Sequence, residues 1–428
     1  MTTTKRSYSQ NLALLSIGFI LFIALIYQPL PQDFPQPWKY RVICFGSKLV
    51  TKIVCKLENI YLFLANANVL FQSYVLENLN LLKRIEAIRL LYYISIGCFQ
   101  IRNPQHQLKI YDMIVGNVSV RVYQPLEYGS QDLMPAIIHF HGGGFMIGCI
   151  DTYDVVTYTI ANQTRAIVLS VEYRRIPEHS FPSALNDSMS VAFEIFHNAL
   201  RYKIDINRIA LAGDSAGGNL ALVITQHLIR DGFKPKLTCL MYPVLQFFDF
   251  TLPSYQQYLP RGILGIINQE NLVYVISQLS GRVLVTHDMM QNNHTSINNK
   301  QRLYPYLNPQ EYLPKHYQPT VKSLDMTENP LMTKTLEYLT TPDISPLLVS
   351  DQELQKLPII LLFTAEFDIL RDEGFIFAER LKRLNKQLYH YHFNSAFHGS
   401  HVLLNGPLKF DYAWIMIEKT TEAIRKYL

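Results

Sequence analysis

From about residue 105 onward, the chain alternates short β-type segments with amphipathic helical segments. The later β-type segments are nearly continuous apolar runs, as expected of strands that are covered on both faces. Helices are predicted between them, for example at 153–163 and 220–230. This alternation predicts an α/β fold, with a mostly parallel central sheet flanked by helices. The predicted strands are 118–123, 136–140, 166–171, 209–212, 237–241, 359–363 and 388–393.

One segment in the second half of the chain interrupts this alternation. Residues 245–340 are rich in Tyr, Gln, Asn and Pro and separate two strand–helix blocks. We interpret them as an insertion that caps the sheet, which places the core at 105–244 and 341–428. Residues 31–104 begin with a proline-rich stretch and continue with apolar residues at helical spacing, which predicts a linker followed by a helical lid.

The most apolar segment near the N-terminus covers residues 11–30, of which 12–26 carry no charge. A helix needs roughly 20 mainly apolar residues to cross the hydrocarbon layer of a membrane. Residues 26–29, I-Y-Q-P, offer no small-residue cleavage site, which argues against a cleaved signal peptide. A buried core helix is the other alternative. We predict an uncleaved transmembrane signal anchor.

The charges beside this anchor bear on its orientation. Lys5 and Arg6 favour a cytoplasmic tail at residues 1–10, although Lys39 and Arg41 on the far side reduce the asymmetry. The expectation is a single-pass type II protein whose C-terminal domain is luminal.

Glycosylation motifs agree with a luminal location. Four N-x-S/T triplets occur, and those at Asn162 and Asn186 lie in predicted helices. Asn117 and Asn293 are therefore the preferred glycosylation candidates.

Composition excludes several classes of protein. Lys and Arg number 39 against 34 Asp and Glu, a balance that does not indicate nucleic-acid binding. The five cysteines form no C-x-x-C pair, and the 13 histidines show no metal-binding spacing, so no metal is expected. The composition gives no reason to predict an obligate protein partner.

The pentapeptide G-D-S-A-G at 213–217 follows a predicted strand and precedes a predicted helix. A sharp strand-to-helix turn of this kind exposes its serine in a strained conformation, and glycines on both sides relieve the crowding. This context predicts Ser215 as a nucleophile. The alternative is a glycine-rich turn in another α/β fold.

The tetrapeptide H-G-G-G begins at His141, directly after another predicted strand. Glycines let backbone N–H groups approach a ligand closely because no Cβ is in the way. Such amides can stabilise the oxyanion of a tetrahedral intermediate. The predicted oxyanion hole comprises Gly142, Gly143, Gly144 and the amide of Ala216, with Gly143 and Gly144 preferred within the loop.

An activated serine also needs a base and an acid that orients the base, in the chain order serine, acid, histidine. Asp368 lies in the loop after the strand at 359–363 and is the preferred acid, with Glu366 next and Asp372 assigned to the following helix. The preferred base is His398, which lies in a loop and precedes a glycine. Three other histidines are alternatives: His390 and His392, which alternate within a predicted strand, and His401, at a predicted helix start.

Together these residues resemble the hormone-sensitive-lipase-like branch of α/β-hydrolases, and within it the arylacetamide deacetylase family. The stretches E-Y-R at 172–174, D-I-L-R-D at 368–372 and F-H-G at 397–399 also match. The resemblance, which covers most of 100–428, implies the triad Ser215, Asp368 and His398 and no external cofactor. It further implies a membrane-anchored enzyme of the endoplasmic reticulum with a luminal catalytic domain.

Two positions depart from the family pattern. Phe145 stands where tryptophan is common, and 363–367 contains no cysteine that could match a family disulfide.

The sequence therefore predicts a serine carboxylesterase or deacetylase that acts on small lipophilic esters or acetylated amides, in contact with membrane lipid. One alternative is a catalytically silent binding protein with the same fold. The other is a cleaved, soluble, secreted esterase.

Overall fold

The protein is described from a computed structural model, which covers residues 89, 108–126, 132–261, 269–282, 284, 286–319, 325–405 and 409–428. These residues all belong to one compact unit. Within these ranges, no helix is both long enough and apolar enough to cross a membrane. The predicted tail and anchor lie outside the described residues, as does the predicted linker and lid at 31–104 except for Arg89.

The centre of the molecule is one eight-stranded sheet in the order β1-β2-β4-β3-β5-β6-β7-β8. The pairs β1–β2 and β2–β4 are antiparallel, and every other pair is parallel. The predicted mostly parallel sheet is therefore confirmed. The strands are β1 (Leu108–Val115), β2 (Val118–Pro125), β3 (Met134–Phe140), β4 (Ile167–Val171), β5 (Ile204–Asp214), β6 (Leu237–Met241), β7 (Ile359–Phe367) and β8 (Leu388–Phe397).

Burial of the strands follows their sequences. Every residue of β3, β4 and β6 is buried, because helices cover both faces of the sheet at its centre. β1 instead alternates half-buried and exposed positions at the edge of the sheet. Its polar residues, including Lys109 and Asp112, conceal the apolar pattern, and the strand was not among those predicted.

Twelve α-helices connect and flank the strands in the described part of the chain. Three of them, α1, α2 and α3, lie between strands of the first half, and α11 and α12 follow β7 and β8. The helices are α1 (Asp154–Thr164), α2 (Ser183–His197), α3 (Ala216–Arg230), α4 (Pro253–Tyr258), α5 (Gln269–Ser280), α6 (Thr286–Met290), α7 (Ile297–Leu303), α8 (Pro309–Tyr312), α9 (Pro330–Leu336), α10 (Asp351–Leu354), α11 (Arg371–Arg383) and α12 (Asp411–Tyr427).

The connection between β6 and β7, residues 242–358, contains the helices α4 to α10 and, among its described residues, no strand. The predicted cap at 245–340 makes up most of this connection. One of its side chains, Val275 on α5, lies over the loop that follows β3: both of its methyl carbons are 3.8 Å from where a Cβ on Gly144 would be.

Four loops carry the predicted site residues, and each follows a strand of the parallel part of the sheet. The H-G-G-G loop follows β3, Ser215 follows β5, Asp368 follows β7 and His398 follows β8. The carboxyl ends of parallel strands lie at one edge of a sheet, so this topology brings the four loops together.

Candidate active site

Ser215 occupies a strained turn between β5 and α3. Its φ of 53° and ψ of −121° are unusual for a residue with a side chain. A Cβ on Gly213 would collide with the carbonyl of Gly217, and one on Gly217 would collide with the carbonyl of Phe140. Glycine is therefore required on both sides of the serine, as the sequence pattern indicates.

Ser215, His398 and Asp368 lie within hydrogen-bonding distance of one another in that order. Ser215 Oγ is 2.9 Å from His398 Nε2, and His398 Nδ1 is 2.8 Å from Asp368 Oδ2. The second carboxylate oxygen, Oδ1, accepts a hydrogen bond from the N–H of Leu370 at 2.9 Å. All three side chains are buried, so the arrangement is held in a fixed geometry away from bulk water.

The electrostatics around His398 favour its protonated form. Burial alone lowers the pKa of the imidazole, but the charge of Asp368 and its hydrogen bond outweigh that effect, and the charge of Asp214 adds to it. The pKa of His398 is consequently raised above 6.5. A histidine in this environment is suited to accept a proton from a serine hydroxyl and to release it later.

Glu366, the second candidate acid, points to other partners. Its carboxylate accepts a hydrogen bond from Arg371 Nη1 at 2.9 Å and lies 3.0 Å from His392 Nε2, and Tyr317 also donates to it. Burial opposes ionisation, but the hydrogen bonds from His392 and Tyr317 and the charge of Arg371 lower the pKa of Glu366 to about 2. Asp372 lies at the start of α11, as predicted, and pairs with Arg371 at 2.9 Å.

The other histidines are also accounted for. Nε2 of His390 and Nδ1 of His392 are each 2.9 Å from Thr364 Oγ1, so both side chains lie on the same face of β8. His401 lies in a 3₁₀ turn at Ser400–Val402 rather than in an α-helix. It contacts Tyr242, not Ser215.

The loop after β3 holds its glycines in a tight turn. The carbonyl of Gly143 accepts hydrogen bonds from the N–H groups of Met146 (3.0 Å) and Ile147 (2.8 Å). Gly143 and Gly144 have φ values of 111° and 61°, which favour glycine. Within the part of the chain that the structure describes, no group accepts a hydrogen bond from the N–H of Gly143, Gly144 or Ala216.

Gly142 differs from the other three predicted amide donors. Its N–H donates a 2.9 Å hydrogen bond to Oδ1 of Asp214, whose Oδ2 accepts a 2.8 Å hydrogen bond from Tyr153. The amide of Gly142 is thus occupied within the protein. Of the four predicted donors, Gly143, Gly144 and Ala216 remain as candidates to bind an oxyanion.

Asp214 was not singled out from the sequence. The one available signal is a charged residue at the end of an otherwise apolar run, directly before the serine. Its partner Tyr153 gives no signal of its own, because a tyrosine near a helix start is ordinary. Tyr173 is a similar case: its hydroxyl donates to the carbonyl of His141 at 2.6 Å, and its ring stacks on that of His141 at 4.2 Å.

The remaining candidates lie elsewhere. Asn117 is exposed in the turn between β1 and β2, whereas Asn293 is half-buried and its Nδ2 donates to Asp288 Oδ1 at 3.1 Å. The described residues include no group of three or more His, Cys, Asp or Glu side chains placed to hold a metal ion.

Comparisons with known proteins agree with this geometry. A family model described as alpha/beta hydrolase fold matches residues 137–287 and 283–402. Arylacetamide deacetylase-like 2 of Homo sapiens is 28% identical and aligns over 91% of this chain and 92% of its own. Neutral cholesterol ester hydrolase 1 of Bos taurus is 30% identical over 90% of this chain and 91% of its own.

Among solved structures, an esterase of Pyrobaculum calidifontis superposes with a TM-score of 0.58 at 24% identity. The match covers 80% of this chain and 93% of that one. At this level of identity the likeness concerns the fold.

Proposed function

The chain belongs to the alpha/beta hydrolase fold family, and on that premise we propose that it is a serine hydrolase of carboxylic esters or acetylated amides. The observation that carries the proposal is the continuous hydrogen-bond chain from Ser215 through His398 to Asp368. This is the arrangement in which a histidine can activate a serine hydroxyl while a buried carboxylate holds the ring.

The first half of the proposed reaction forms an acyl-enzyme. Ser215 Oγ attacks the carbonyl carbon of the substrate while its proton moves to His398 Nε2. The carbonyl π electrons move onto oxygen to give a tetrahedral oxyanion. When the carbonyl re-forms, the bond to the alcohol or amine breaks, and His398 gives its proton to that leaving group.

The second half repeats these steps with water. His398 takes a proton from a water molecule, whose oxygen attacks the acyl carbon. Collapse of this second intermediate breaks the bond to Ser215 Oγ, and His398 returns the proton to the serine. The products are a carboxylic acid and a regenerated enzyme, and Asp368 holds the ring of His398 throughout.

The oxyanion in both halves is stabilised by the amides of Gly143, Gly144 and Ala216. Ala216 is the first residue of α3, and the positive end of the helix dipole favours negative charge there. Each such donor can lower the barrier by about 3 kcal/mol.

The surroundings of the site support an uncharged, lipophilic substrate. Phe145, which follows the oxyanion loop, is an apolar side chain that is 4% exposed. The apolar side chain of Val275 lies next to the oxyanion loop at Gly144. The names of the relatives, an arylacetamide deacetylase-like protein and a cholesterol ester hydrolase, point in the same direction.

The proposal includes a location. An anchor at 11–30 would hold the enzyme in the membrane of the endoplasmic reticulum, with residues 1–10 cytoplasmic and the catalytic domain luminal. Exposed Asn117 would then carry a glycan, and half-buried Asn293 is the poorer acceptor. Digestion of the expressed protein with an endoglycosidase should shift its mobility, and the Asn117→Gln variant should lose that shift. An unchanged mobility of the wild type would count against a luminal domain.

The activity is tested by expressing the full chain in membranes and treating it with a fluorophosphonate probe and a series of p-nitrophenyl esters. The Ser215→Ala variant should lose labelling and at least about a thousandfold in hydrolysis rate. Ser190→Ala is a matched control, because its hydroxyl makes one hydrogen bond, to the carbonyl of Gly116, away from the site. This control should label and hydrolyse like the wild type.

A folded wild type that neither labels nor hydrolyses any ester in the series would contradict the proposal. The catalytically silent binding protein would then be the better interpretation. The uninterrupted hydrogen-bond chain through Ser215, His398 and Asp368 favours the interpretation as an enzyme.

A further inference from the structure

Asp214 is a second buried carboxylate in the candidate site. It ends β5 directly before Ser215, and only 3% of its surface is exposed. Both of its oxygens accept hydrogen bonds, Oδ1 from the N–H of Gly142 and Oδ2 from the hydroxyl of Tyr153. The carboxylate thereby connects two loops that the proposed reaction uses.

The contact with Gly142 explains the first glycine of the H-G-G-G loop. A Cβ at this position would collide with Oδ2 of Asp214 and would lie 2.8 Å from the hydroxyl of Tyr153. Glycine is therefore required at 142 so that the carboxylate can approach the backbone. Because Gly142 is held by Asp214, the following amides of Gly143 and Gly144 have a fixed position relative to Ser215, which is adjacent to Asp214 in the chain.

A series of contacts through His401 and Tyr242 leads from Asp214 to His398. Oδ1 of Asp214 is 4.0 Å from His401 Nε2, and His401 Nδ1 is hydrogen-bonded to the hydroxyl of Tyr242. The ring of Tyr242 in turn lies 4.8 Å from that of His398.

We propose that Asp214 is a positioning residue for the hydrolytic reaction: it fixes the oxyanion loop through the amide of Gly142. The inference rests on the proposed function. The role is indirect, since Asp214 acts through Gly142 rather than by touching the reacting atoms.

The effect concerns the transition state. Amide donors in an oxyanion hole bind the developing charge and not the ground state, so displacing them lowers kcat more than it raises KM. Burial raises the pKa of Asp214 itself to about 7, and in either protonation state the side chain keeps an oxygen that can accept the hydrogen bond from Gly142. The positioning role therefore does not depend on the charge of Asp214.

The first test compares Asp214→Ala with wild type in the full, membrane-expressed chain. Loss of the anchor for Gly142 should lower kcat by about a hundredfold while KM changes by less than about threefold. Asp187→Ala is a matched control, because Asp187 is 8% exposed and accepts a 2.9 Å hydrogen bond from the N–H of Arg174. The control should keep kcat within about threefold of wild type.

The second test uses Asp214→Asn, which preserves shape and retains an oxygen for the Gly142 amide. This variant should recover most of the kcat lost in Asp214→Ala, because it keeps the hydrogen bond that holds the oxyanion loop. Rescue by this exchange distinguishes positioning of the loop from a general structural loss.

The outcomes separate this inference from the proposed function. If the wild type is inactive, the proposed function itself fails. If the wild type is active but folded Asp214→Ala keeps kcat within threefold, the positioning role is refuted. If Asp214→Ala does not fold by circular dichroism, Asp214→Asn decides, and a folded Asp214→Asn whose kcat falls by about a hundredfold overturns the proposal.

Discussion

Two acid–histidine–hydroxyl chains lie within a few residues of each other at the end of β7. In one, Asp368, His398 and Ser215 are joined by contacts of 2.8 Å and 2.9 Å. In the other, Glu366 Oε2 is 3.0 Å from His392 Nε2, and His392 Nδ1 is 2.9 Å from Thr364 Oγ1. Judged by distances alone, the two chains are nearly equivalent.

Their surroundings differ. The side chains of Asp368 and His398 are 0% and 9% exposed, against 21% and 17% for Glu366 and His392. The carboxylate of Glu366 is also shared with Arg371, whose side chain is buried. Glu366 thus also neutralises the buried guanidinium of Arg371. Asp368 instead pairs with His398 and accepts a hydrogen bond from the backbone N–H of Leu370.

The hydroxyls differ as well. Thr364 lies inside β7 in regular backbone and is only 1% exposed, and its Oγ1 contacts both His390 and His392. Ser215 lies on a strained turn beside the amides of Ala216 and the glycine loop. An acid–histidine–hydroxyl chain is therefore not sufficient for acyl transfer, which also requires a hydroxyl that a carbonyl can reach and donors for the oxyanion.

The largest difference between the two chains is expected at their acids. Asp368→Asn should lower kcat by about ten-thousandfold, because an amide favours the wrong tautomer of His398 and cannot stabilise the imidazolium. Steady-state hydrolysis of a p-nitrophenyl ester measures this loss. Glu366→Gln is the matched change in the other chain and should keep kcat within about threefold. Equal losses of kcat in Asp368→Asn and Glu366→Gln would show that the two hydrogen-bond chains do not differ in their catalytic role.

Glu366→Gln should instead affect folding. Removing the carboxylate leaves Arg371 with one fewer anionic partner, and the free energy of unfolding should fall by about 2 kcal/mol near pH 7. The pKa of Glu366 is about 2 in the folded protein and near 4.5 when unfolded, so its contribution is full above pH 4.5 and is lost as pH falls towards 2. Denaturant titrations at several pH values should show a wild-type excess stability that disappears in acid.

The third expectation concerns the pH dependence of catalysis. Because His398 must be neutral to accept a proton and its pKa is raised above 6.5, kcat/KM should fall about tenfold per pH unit below that pKa. His392→Asn leaves this group untouched, so its acid limb should coincide with that of the wild type. If the acid limb of kcat/KM shifts in His392→Asn, the two hydrogen-bond chains interact electrostatically. That result would contradict the view that only the Ser215 chain takes part in catalysis.

The smallest effect is expected at the second hydroxyl. Thr364→Val keeps the shape of the side chain and removes the hydrogen bonds to His390 and His392, at a cost of about 1 kcal/mol in unfolding free energy. Thermal denaturation measures that change. The esterase activity and fluorophosphonate labelling of the variant should match those of the wild type, and loss of labelling would be inconsistent with a purely structural Thr364.

The sequence was most informative where the backbone is constrained locally. The predicted strand at 237–241 agrees with β6, and the glycines around Ser215 are required by the collisions that larger residues would cause. The predicted kinship with arylacetamide deacetylases and the prediction of a hydrolase are confirmed by the relatives.

The choice between Glu366 and Asp368 could not come from spacing. Both follow the same apolar run, and the sequence does not show that Arg371 folds back towards Glu366. For the same reason Gly142 was assigned to the oxyanion hole, because its partner Asp214 is 72 residues away in the chain. The contacts that distinguish Glu366 from Asp368, and Gly142 from the two glycines after it, form only in the folded protein. The local sequence pattern does not contain them.

The long connection between β6 and β7 contributes Val275 to the roof of the site but none of the residues proposed to act on the substrate. Those residues come from the loops after β3, β5, β7 and β8. Changes in this segment that leave its contacts with Ser215 and His398 in place can therefore alter which substrates reach the site without replacing the residues proposed to break the bond. Substrate preference and reaction type can thus evolve separately in this architecture.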